Sequence, residues 1–444
     1  MRSVAVIGGG PSGLAAAWRL AKSGDRVVVY ERRAVVGGGL RSDVVDGVVI
    51  DPAVQLIGSN YRSTFGLASE VGARSLLVRT AGRDALWRAE RAHAIAYGSA
   101  ASMAASTALP ALLKLRLAAK YLPFLVTRCR HLDANDPAGT GGVGFDRESI
   151  AVWGTRELGE EFVESMAYPF LGAYHGGVPE RTSAAFYHAL ARVGLDVRLF
   201  AVRGGMGRLS AAVGAAIVEH GGTLRTDVEV QRVVAESAGV TVMTVAGAER
   251  YDAAVVATPA AAASRLLELR SAQRSWLSGV ESAPTLSVAV VLSRRIRVDW
   301  FGLAFPRTAA PGDRIVAACV LHEKSADLVP AGRSAIVAYP APSLAGQLAA
   351  SSAEEAPGVV LPALDMAFGD VSGTADVVKV YRHAEGHTQF WPGYIGHLLR
   401  FEAEQLPRRI ALAGDYLVAP TVEGAVISGE RAAERVLRLP DRAG

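Results

Sequence analysis

The sequence predicts an α/β protein with a doubly wound, discontinuous nucleotide-binding domain and a second domain of the α+β class. Two patterns predict the first domain. A short apolar run breaks into a glycine-rich turn near residue 8, and an apolar run followed by a glycine-containing helix lies within residues 408–437. The segments between them carry mixed helical and strand patterns, which indicates the second domain. The length of 444 residues agrees with two or three domains.

The first βαβ unit covers residues 4–31. Residues 4–7 form a continuous apolar run, typical of a buried parallel strand, and a G-x-G-x-x-G pattern follows. The first glycine permits the tight turn, the second lets backbone approach a pyrophosphate, and the third packs the helix on the strand. That helix offers free N–H groups at its N-terminus and ends at Gly24. We expect the dinucleotide to contact Gly8, Gly10, Pro11, Ser12 and Gly13.

Glu31 ends the second strand of this unit. An acidic side chain at this place accepts hydrogen bonds from ribose hydroxyls. Its charge would repel a 2′-phosphate, which disfavours NADP, although Arg32 and Arg33 beside it weaken that argument. No second glycine pattern of this kind follows another strand, so we expect no separate NADPH domain.

A second glycine cluster follows the strand: Gly37 and Gly38, then Arg41 and Ser42. This order resembles the flavin amine-oxidase-like superfamily, which includes protoporphyrinogen oxidases and phytoene desaturases. The resemblance implies FAD as the cofactor, with the Arg41 guanidinium facing its pyrophosphate. Gly39 departs from the pattern, because many relatives carry Arg or Lys there. The FAD contacts implied in this stretch are Arg32, Gly38, Gly39, Leu40 and Arg41.

The segment 408–437 matches the same superfamily at a second place. There an Ala-Gly-Asp strand end touches the ribityl chain of FAD, and a Gly-Ala helix start points at the flavin ring. A helix N-terminus at that place would stabilise negative charge on reduced flavin. The matching residues are Gly414, Asp415, Glu423, Gly424 and Ala425.

The resemblance also divides the chain. A glycine-rich helix start at 204–207 returns the chain to the FAD domain, and Val230 would contact adenine through its backbone or be an ordinary core residue. We therefore predict an FAD-binding domain of residues 1–75, 201–284 and 399–444. Residues 76–200 and 285–398 would form the substrate-binding domain.

Candidate substrate-site residues come from several segments. Gln55, Leu56 and Ile57 match the segment that passes the flavin ring edge in relatives. Amine oxidases of the superfamily often use a Lys near N5, but the comparable strand within 285–300 holds none, which favours carbon–carbon or ring dehydrogenation over simple amine oxidation. His387 lies in a stretch that we interpret as a loop. The further candidates are Tyr61, Arg62, Tyr174, His175, His387 and Trp391, with Tyr174, His175 and His387 as the candidate catalytic groups.

Composition excludes several classes of protein. The 47 basic residues nearly balance the 43 acidic ones, so we expect no nucleic-acid partner. Two distant cysteines and no ligand-like spacing predict neither a disulfide framework nor a metal site. These features and the missing secretory pattern predict a cytoplasmic protein. Residues 101–128 are apolar with scattered charges, which indicates either buried helices around an apolar pocket or a face resting on lipid.

The sequence thus predicts an FAD-dependent oxidase or desaturase. Its substrate would be a hydrophobic or cyclic small molecule, dehydrogenated at a C–C or C–N bond, with oxygen or a quinone as electron acceptor. Three alternatives remain open at this point: a non-redox isomerase or mutase that uses the same cofactor, an amine oxidase, and a membrane-surface or partner-binding protein that keeps FAD for structure.

Overall fold

The computed structural model describes residues 1–80, 83–95, 99–195, 197–352, 354–404 and 406–440. Its strands, in chain order, are β1 Ser3–Ile7, β2 Arg26–Tyr30, β3 Asp43–Val45, β4 Val48–Ile50, β5 Ile57–Gly58, β6 Leu77–Arg79, β7 Arg83–Arg88, β8 Arg91–Ile95, β9 Leu199–Val202, β10 Thr223–Arg225, β11 Val230–Ala235, β12 Val240–Thr244, β13 Gly247–Tyr251, β14 Ala253–Val256, β15 Ser282–Leu292, β16 Trp300–Ala304, β17 Ile315–Val320, β18 Ser334–Pro340, β19 Ala375–Thr388 and β20 Ile410–Leu412.

Helices connect and cover these strands. In chain order they are α1 Pro11–Lys22, α2 Arg62–Glu70, α3 Ala100–Ala105, α4 Ala111–Arg116, α5 Leu122–Thr127, α6 Ile150–Leu158, α7 Glu160–Phe162, α8 Tyr168–His175, α9 Ala184–Val193, α10 Gly207–Glu219, α11 Ala260–Leu266, α12 Ser271–Gly279, α13 Leu321–Lys324, α14 Pro342–Ala350, α15 Glu355–Phe368, α16 Tyr394–Glu402 and α17 Val422–Leu437. Two π-helical turns, Leu117–Tyr121 and Val163–Ala167, continue α4 into α5 and α7 into α8.

A parallel five-stranded sheet is built from widely separated segments. Its order is β10-β2-β1-β14-β20, and every pair in it is parallel. The central strands are apolar on both faces because both faces are covered. One face packs on α1, α10 and α17, and the other packs on the antiparallel sheet β11-β12-β13 together with α11 and α16.

A larger mixed sheet forms the second body of the fold. Its order is β19-β15-β18-β17-β16-β7-β8, in which only β16 and β7 run parallel to each other among the described pairs. Helices α14 and α15 cover one face, and the helices between residues 108 and 193 pack on the other side around a second core. The predicted α/β fold class, with a parallel sheet and a second mixed α+β layer, is confirmed.

The first and last helices of the fold pack directly on each other. A Cβ atom on Gly429 in α17 would collide with the carbonyl oxygen of Ser12 in α1, so the two backbones approach as closely as a glycine allows. The Arg2 side chain donates to the carbonyl oxygens of Val436 and Leu437, at 2.9 and 3.1 Å. Distant parts of the sequence therefore meet on one face of the parallel sheet.

The predicted domain boundaries stay predictions. All strands of the parallel sheet lie within residues 3–30, 223–256 and 410–412, and those of the mixed sheet lie within 83–95, 282–340 and 375–388. Strand β15 begins at Ser282, so it crosses the boundary that we predict after residue 284.

Candidate functional site

The turn between β1 and α1 leaves a cradle at the carboxyl end of the sheet. Gly8 has φ +105°, and a Cβ atom there would lie 2.5 Å from the carbonyl oxygen of Ala257. A Cβ on Gly13 would collide with the carbonyl oxygen of Gly8. Gly10 differs, because a Cβ there would meet no protein atom within 4 Å. Open space beside the second glycine is what a dinucleotide pyrophosphate requires.

The helix that follows this turn is prepared for an anion. Gly10 is the N-cap of α1, no side chain caps the helix, and Pro11 occupies its first turn. The first N–H groups of a helix that has no capping side chain are available to a phosphate. Ser12 and Gly13 are buried in the same turn, so the five predicted residues from Gly8 to Gly13 lie around one cradle.

Glu31 lies at the end of β2, beside that cradle. Its carboxylate accepts from the backbone N–H of Gly9 at 2.8 Å and from that of Arg33 at 3.0 Å. The side chain is only 8% exposed, so its orientation is fixed by these bonds. This placement fits the predicted acceptor of ribose hydroxyls.

The second glycine cluster packs against the first. Gly37 has φ +123° and donates its N–H to the carbonyl oxygen of Gly9 at 2.7 Å. A Cβ on Gly38 would come within 3.0 Å of the Cα of Gly10. Leu40 is buried in the helix-packed core of the parallel sheet, and Gly39 lies beside it at the surface of the loop.

Three arginines, Arg32, Arg33 and Arg41, lie next to this cluster. The Nε atom of Arg41 is buried and has no hydrogen-bond partner in the described part of the chain. Burial lowers the pKa of Arg33, and the nearby positive charges of Arg41 and Arg32 lower it further. Burial also lowers the pKa of His383, to about 4, with contributions from the charges of Arg41 and Arg33. Cations crowded together with an unpaired donor fit a diphosphate group, whose oxygens would accept from a guanidinium fork.

The segment that ends in α17 completes the cradle from the other side. The N–H of Gly414 donates to Ser428 Oγ at 2.9 Å, and the buried Thr388 donates through Oγ1 to the half-buried Asp415 at 3.0 Å. Burial raises the pKa of Asp415 to about 6. Thr421 caps α17 by accepting from the N–H of Gly424, and a Cβ on Gly424 would collide with the carbonyl oxygen of Ala419.

The Glu423 side chain has a different use from its neighbours. Its carboxylate accepts from the N–H groups of Ser63 and Thr64, at 2.6 and 2.8 Å, and from Thr64 Oγ1 at 2.7 Å. It therefore caps the start of α2. Because its carboxylate is already bound, Glu423 is left to contact FAD through its backbone in α17. The FAD contacts of Glu423 and Ala425 stay predictions.

A large cavity lies between the mixed sheet and the helices of residues 99–195. Its volume is about 440 Å³, within the range of small-molecule sites. The lining is mainly apolar, with side chains that include Leu109, Leu117, Leu125, Phe170 and Phe301. Of the predicted substrate-site residues, it contains Gln55, Leu56, Tyr61, Tyr174, His175 and His387. The segment 420–422 before α17 also lines it, so the cavity reaches the cradle.

Other predicted residues lie elsewhere. Ile57 is in β5 and fully buried in the core of the parallel sheet. Arg62 is exposed at the start of α2, and Trp391 packs on Tyr394 of α16. Val230 opens β11 and is buried against the parallel sheet. These positions lie outside the cavity lining, and a backbone contact of Val230 with adenine stays a prediction.

The interpretation of His387 as a loop residue is wrong. His387 lies on β19, paired with Ala283 of β15. Gly386 suggests that a strand would end at this point. The long pairing with β15 nevertheless continues β19 through Gly386, with a register shift nearby. Burial lowers the pKa of His387 to about 4, and burial with His387 lowers that of His175 to about 3. Both imidazoles are therefore neutral at pH 7, and burial disfavours their protonated forms.

Two site residues escaped the sequence analysis. Lys324, at the end of α13, is fully buried and donates to Asp51 Oδ2 at 2.6 Å and to Gln55 Oε1 at 2.8 Å. Asp84, on β7, lines the cavity as a buried carboxyl group. The chain has five lysines, and Lys324 lies three positions after the apolar run of residues 315–321. That run was the one signal available in the sequence.

The segment 285–300, which holds no lysine where amine oxidases of the superfamily often have one, includes most of strand β15. Ser287 lies there, and its hydroxyl donates to the carbonyl oxygen of Pro52 at 2.7 Å. Lys324 instead reaches the same region from α13, where its ammonium holds Gln55.

Taken together, the cradle, the cationic cluster and the adjoining apolar cavity are those of an FAD-dependent oxidoreductase. The chain matches the family model "Flavin containing amine oxidoreductase" over residues 11–437, which is almost its whole length. It belongs to that family, and FAD is the cofactor that the family and the cradle together assign.

Solved structures agree in fold. A protein from Exiguobacterium sp. 255-15 named as a putative protoporphyrinogen oxidase superposes with a TM-score of 0.76 at 18% identity, over 98% of each chain. Putrescine oxidase with bound putrescine gives a TM-score of 0.76 at 19% identity, over 99% of each chain. Identities this low show the fold alone.

Curated relatives match over short stretches. A probable zeta-carotene desaturase of Synechococcus elongatus is 39% identical over 71 residues, which is 16% of this chain and 15% of the desaturase. The chain spans only 14 to 19% of the length of curated relatives that it matches, among them a thiamine thiazole synthase and a putative flavin-containing monoamine oxidase.

Proposed function

We propose that this protein is an FAD-dependent oxidase or desaturase that dehydrogenates a bulky, largely apolar or cyclic small molecule at a C–C or C–N bond. The observation that carries this proposal is the apolar cavity of about 440 Å³, which is lined by residues 420–422, directly before the α17 segment of the FAD cradle. Such a cavity binds apolar surface and keeps water from the reacting carbon.

Bound FAD supplies a two-electron acceptor: the substrate loses a hydride equivalent from carbon and a proton, and oxygen or a quinone later takes up the electrons. The chain's own part is to bind, orient and accept a proton. His387 and His175 are neutral and line the cavity, so either can receive a proton from the substrate transiently and pass it on, because burial disfavours the protonated imidazole. Gln55 is held between Lys324 and the hydroxyl of Tyr339, at 2.8 and 2.7 Å, which fixes its side chain at the cavity wall.

The choice between carbon–carbon and amine oxidation rests on β15. Because Ser287 and its neighbours on this strand include no lysine, the proposal favours C–C or ring dehydrogenation. An amine oxidase remains the second candidate, since the family model describes amine oxidoreductases and the Lys324 ammonium lies one hydrogen bond from Gln55.

Anaerobic mixing of the FAD-loaded protein with a substrate panel tests the proposal. The panel contains a reduced tetrapyrrole, a polyene and a cyclic amine. At least one of them should bleach the visible absorbance of oxidised flavin. A product formed without any change in that absorbance would favour the isomerase or mutase alternative, and no reaction with any class would contradict the proposal. Reoxidation by air or by a soluble quinone then identifies the acceptor.

The same proposal includes contact with a lipid surface through residues 101–128. In this segment Leu112, Leu115, Leu122 and Val126 are between 38 and 64% exposed, although Leu117, Tyr121 and Leu125 of the same helices line the cavity. Basic side chains surround the exposed ones: Lys114, Arg116, Lys120, Arg128 and Arg130. An apolar face with a basic rim suits an anionic membrane surface, from which an apolar substrate could enter. Within the described residues no helix combines the length and hydropathy needed to cross a bilayer.

Vesicle co-sedimentation tests this contact. Phosphatidylcholine vesicles with added phosphatidylserine should retain the protein, and Leu115→Glu should release it. Val245→Glu is the matched control, because Val245 is 84% exposed on the turn between β12 and β13 and should tolerate the change. Equal retention of both variants, or no retention of the wild type, would refute the contact.

A further inference from the structure

One carboxyl group faces the apolar cavity. Asp84 is 7% exposed and lies on β7, in a run whose next residues, Ala85 to Trp87, are all apolar and buried. Side chains alternate along a strand, so Asp84 shares the face of Leu86, which packs with the helices around the cavity. Among the described residues of the cavity lining, Asp84 is the only Asp or Glu.

The surroundings of Asp84 leave half of its carboxyl group without a partner. Tyr174 Oη donates to Oδ2 at 3.1 Å. Oδ1 lies over Gly302 of β16, where a Cβ atom would stand 2.5 Å from it, so the absence of a side chain makes room for the carboxyl group. No hydrogen bond to Oδ1 occurs within the part of the chain that the structure describes.

Within the described ranges, no cationic side chain pairs with the carboxyl group of Asp84. Lys114 is the only Lys or Arg among the described lining residues, and its ammonium donates to the carbonyl oxygen of Ala104 at 2.8 Å. Burial raises the pKa of Asp84 to about 7. An acid in an apolar wall costs stability unless something pairs with it, and proteins tolerate such costs chiefly at functional sites.

Asp84 is also connected to the end of the cavity that adjoins FAD. Its partner Tyr174 is followed by His175, which lines the same cavity as His387 and is hydrogen-bonded to the backbone of Pro420, just before α17. A ligand held by Asp84 would therefore extend from the mixed sheet, across the apolar lining, toward the two histidines.

We infer that Asp84 is a substrate-recognition residue that binds a cationic nitrogen, such as an ammonium or amidinium group, of a substrate whose remaining surface is apolar. This inference rests on the proposed function and narrows its substrate class. The nitrogen is bound at Asp84, the apolar body fills the cavity, and the carbon to be dehydrogenated lies at the histidine end. Recognition and oxidation therefore concern different parts of one molecule.

The test uses two rigid probes of nearly equal shape, 1-adamantylammonium and 1-adamantanol. The carbon that bears the nitrogen has no hydrogen, so binding of the ammonium does not depend on oxidation at that carbon. Calorimetric titration of the FAD-loaded protein should give tighter binding of the ammonium than of the alcohol. Asp84→Asn should weaken the binding of the ammonium about 10- to 100-fold and the binding of the alcohol less than about 3-fold. Lys114→Met, which removes the other lining charge, should leave the preference unchanged.

Gly302→Ala is a second variant that keeps the carboxyl group but displaces Oδ1, and it should also reduce the preference for the ammonium. Equal affinity of the wild type for both probes, no binding of either, or equal losses of both in Asp84→Asn would overturn the inference. The bleaching assay separates it from the proposed function. Bleaching by the substrate panel without an Asp84-dependent preference refutes only the role of Asp84, and the preference without bleaching refutes only the oxidation.

Discussion

The carbonyl oxygen of Ser12 and the Cα of Gly429 lie so close that any side chain at residue 429 would collide with that oxygen. This contact joins α1, which follows the glycine cradle, to α17, which begins beside the cavity. The two parts of the FAD site are therefore held in register by one helix–helix contact that tolerates only glycine.

Gly429→Val should separate these helices. Overpacking of a tight contact costs about 1–3 kcal/mol, and the shift would move the start of α17 away from the cradle. We expect a lower thermal midpoint together with a lower FAD content, measured by absorbance after extensive dialysis. Gly396→Val, on the open side of α16, is the matched control. An unchanged FAD content in a folded Gly429→Val variant would contradict this role.

Gly10→Ala separates cofactor binding from folding. Gly10 has φ −75° and open space in the Cβ direction, so alanine should be accommodated by the fold itself. The added methyl group would project into the space assigned to the pyrophosphate, and the affinity for FAD should fall at least tenfold, which corresponds to about 1.4 kcal/mol. Fluorescence titration of the apoprotein measures this.

Gly66→Ala is its control, because Gly66 is an exposed glycine inside α2 with no neighbour within 4 Å. That change should raise stability by about 1 kcal/mol and leave FAD affinity unaltered. Equal FAD affinity in the two variants would show that the pyrophosphate lies elsewhere.

Lys324→Met should destabilise the protein strongly. Lys324 and Asp51 are both fully buried and 2.6 Å apart, and removal of one partner leaves a buried charge, which costs about 3–5 kcal/mol. Lys379→Met breaks the half-exposed pair of Lys379 with Asp43 and should cost less than about 1 kcal/mol. Denaturant unfolding of both variants compares them. A similar small effect for both would show that the buried pair is dispensable.

The buried histidines predict acid sensitivity. In the folded state the pKa of His387 is about 4, lowered by burial, against an ordinary value of 6.5. As pH falls from 6.5 toward 4 the unfolded chain takes up a proton that the folded chain does not, so stability decreases over this window. His387→Gln should recover about 1–3 kcal/mol of that loss at pH 4, whereas His131→Gln, at an exposed position, should recover none. Thermal midpoints measured from pH 7 to 4 decide this, and parallel curves for all three proteins would contradict it.

Asp84 predicts a pH dependence of ligand binding that has the same sign as the pH dependence of stability but lies at higher pH. Its pKa of about 7 means that the carboxylate form grows as pH rises toward 7. Tyr174 and Cys319 face it, and burial raises the pKa of Cys319 to about 12, so that thiol does not titrate in this range. Affinity for 1-adamantylammonium should therefore rise about tenfold per unit below pH 7 and level off above it. A flat profile from pH 5 to 8 would contradict it.

The sequence was most informative where local backbone geometry decides the residue. Gly8, Gly13 and Gly37 could be assigned because a positive φ or a close approach excludes every other residue, and such demands leave a spacing in the chain. Glu31 followed for the same reason, since it ends a strand of the first βαβ unit. The fold class followed from these local patterns.

Lys324 and Asp84 could not be assigned in this way. Each becomes a site residue only through partners more than 80 positions away, Asp51 in one case and Tyr174 in the other. Single sequences carry no signal for such pairings beyond a charge next to an apolar run. The strand state of His387 was missed because pairing with β15 overrides the local tendency of Gly386 to break a strand.

The bound flavin of the purified, FAD-reconstituted protein tests the central claim most directly, because the cradle from Gly8 to Gly13 and the segment from Gly414 to Ala425 are assigned to one cofactor. Mass spectrometry of the released cofactor should identify FAD at about one molecule per chain, lost together in Gly10→Ala and Gly429→Val. A folded wild-type protein that retains no flavin would contradict the account. So would variants Gly10→Ala and Gly429→Val that both retain as much flavin as the wild type.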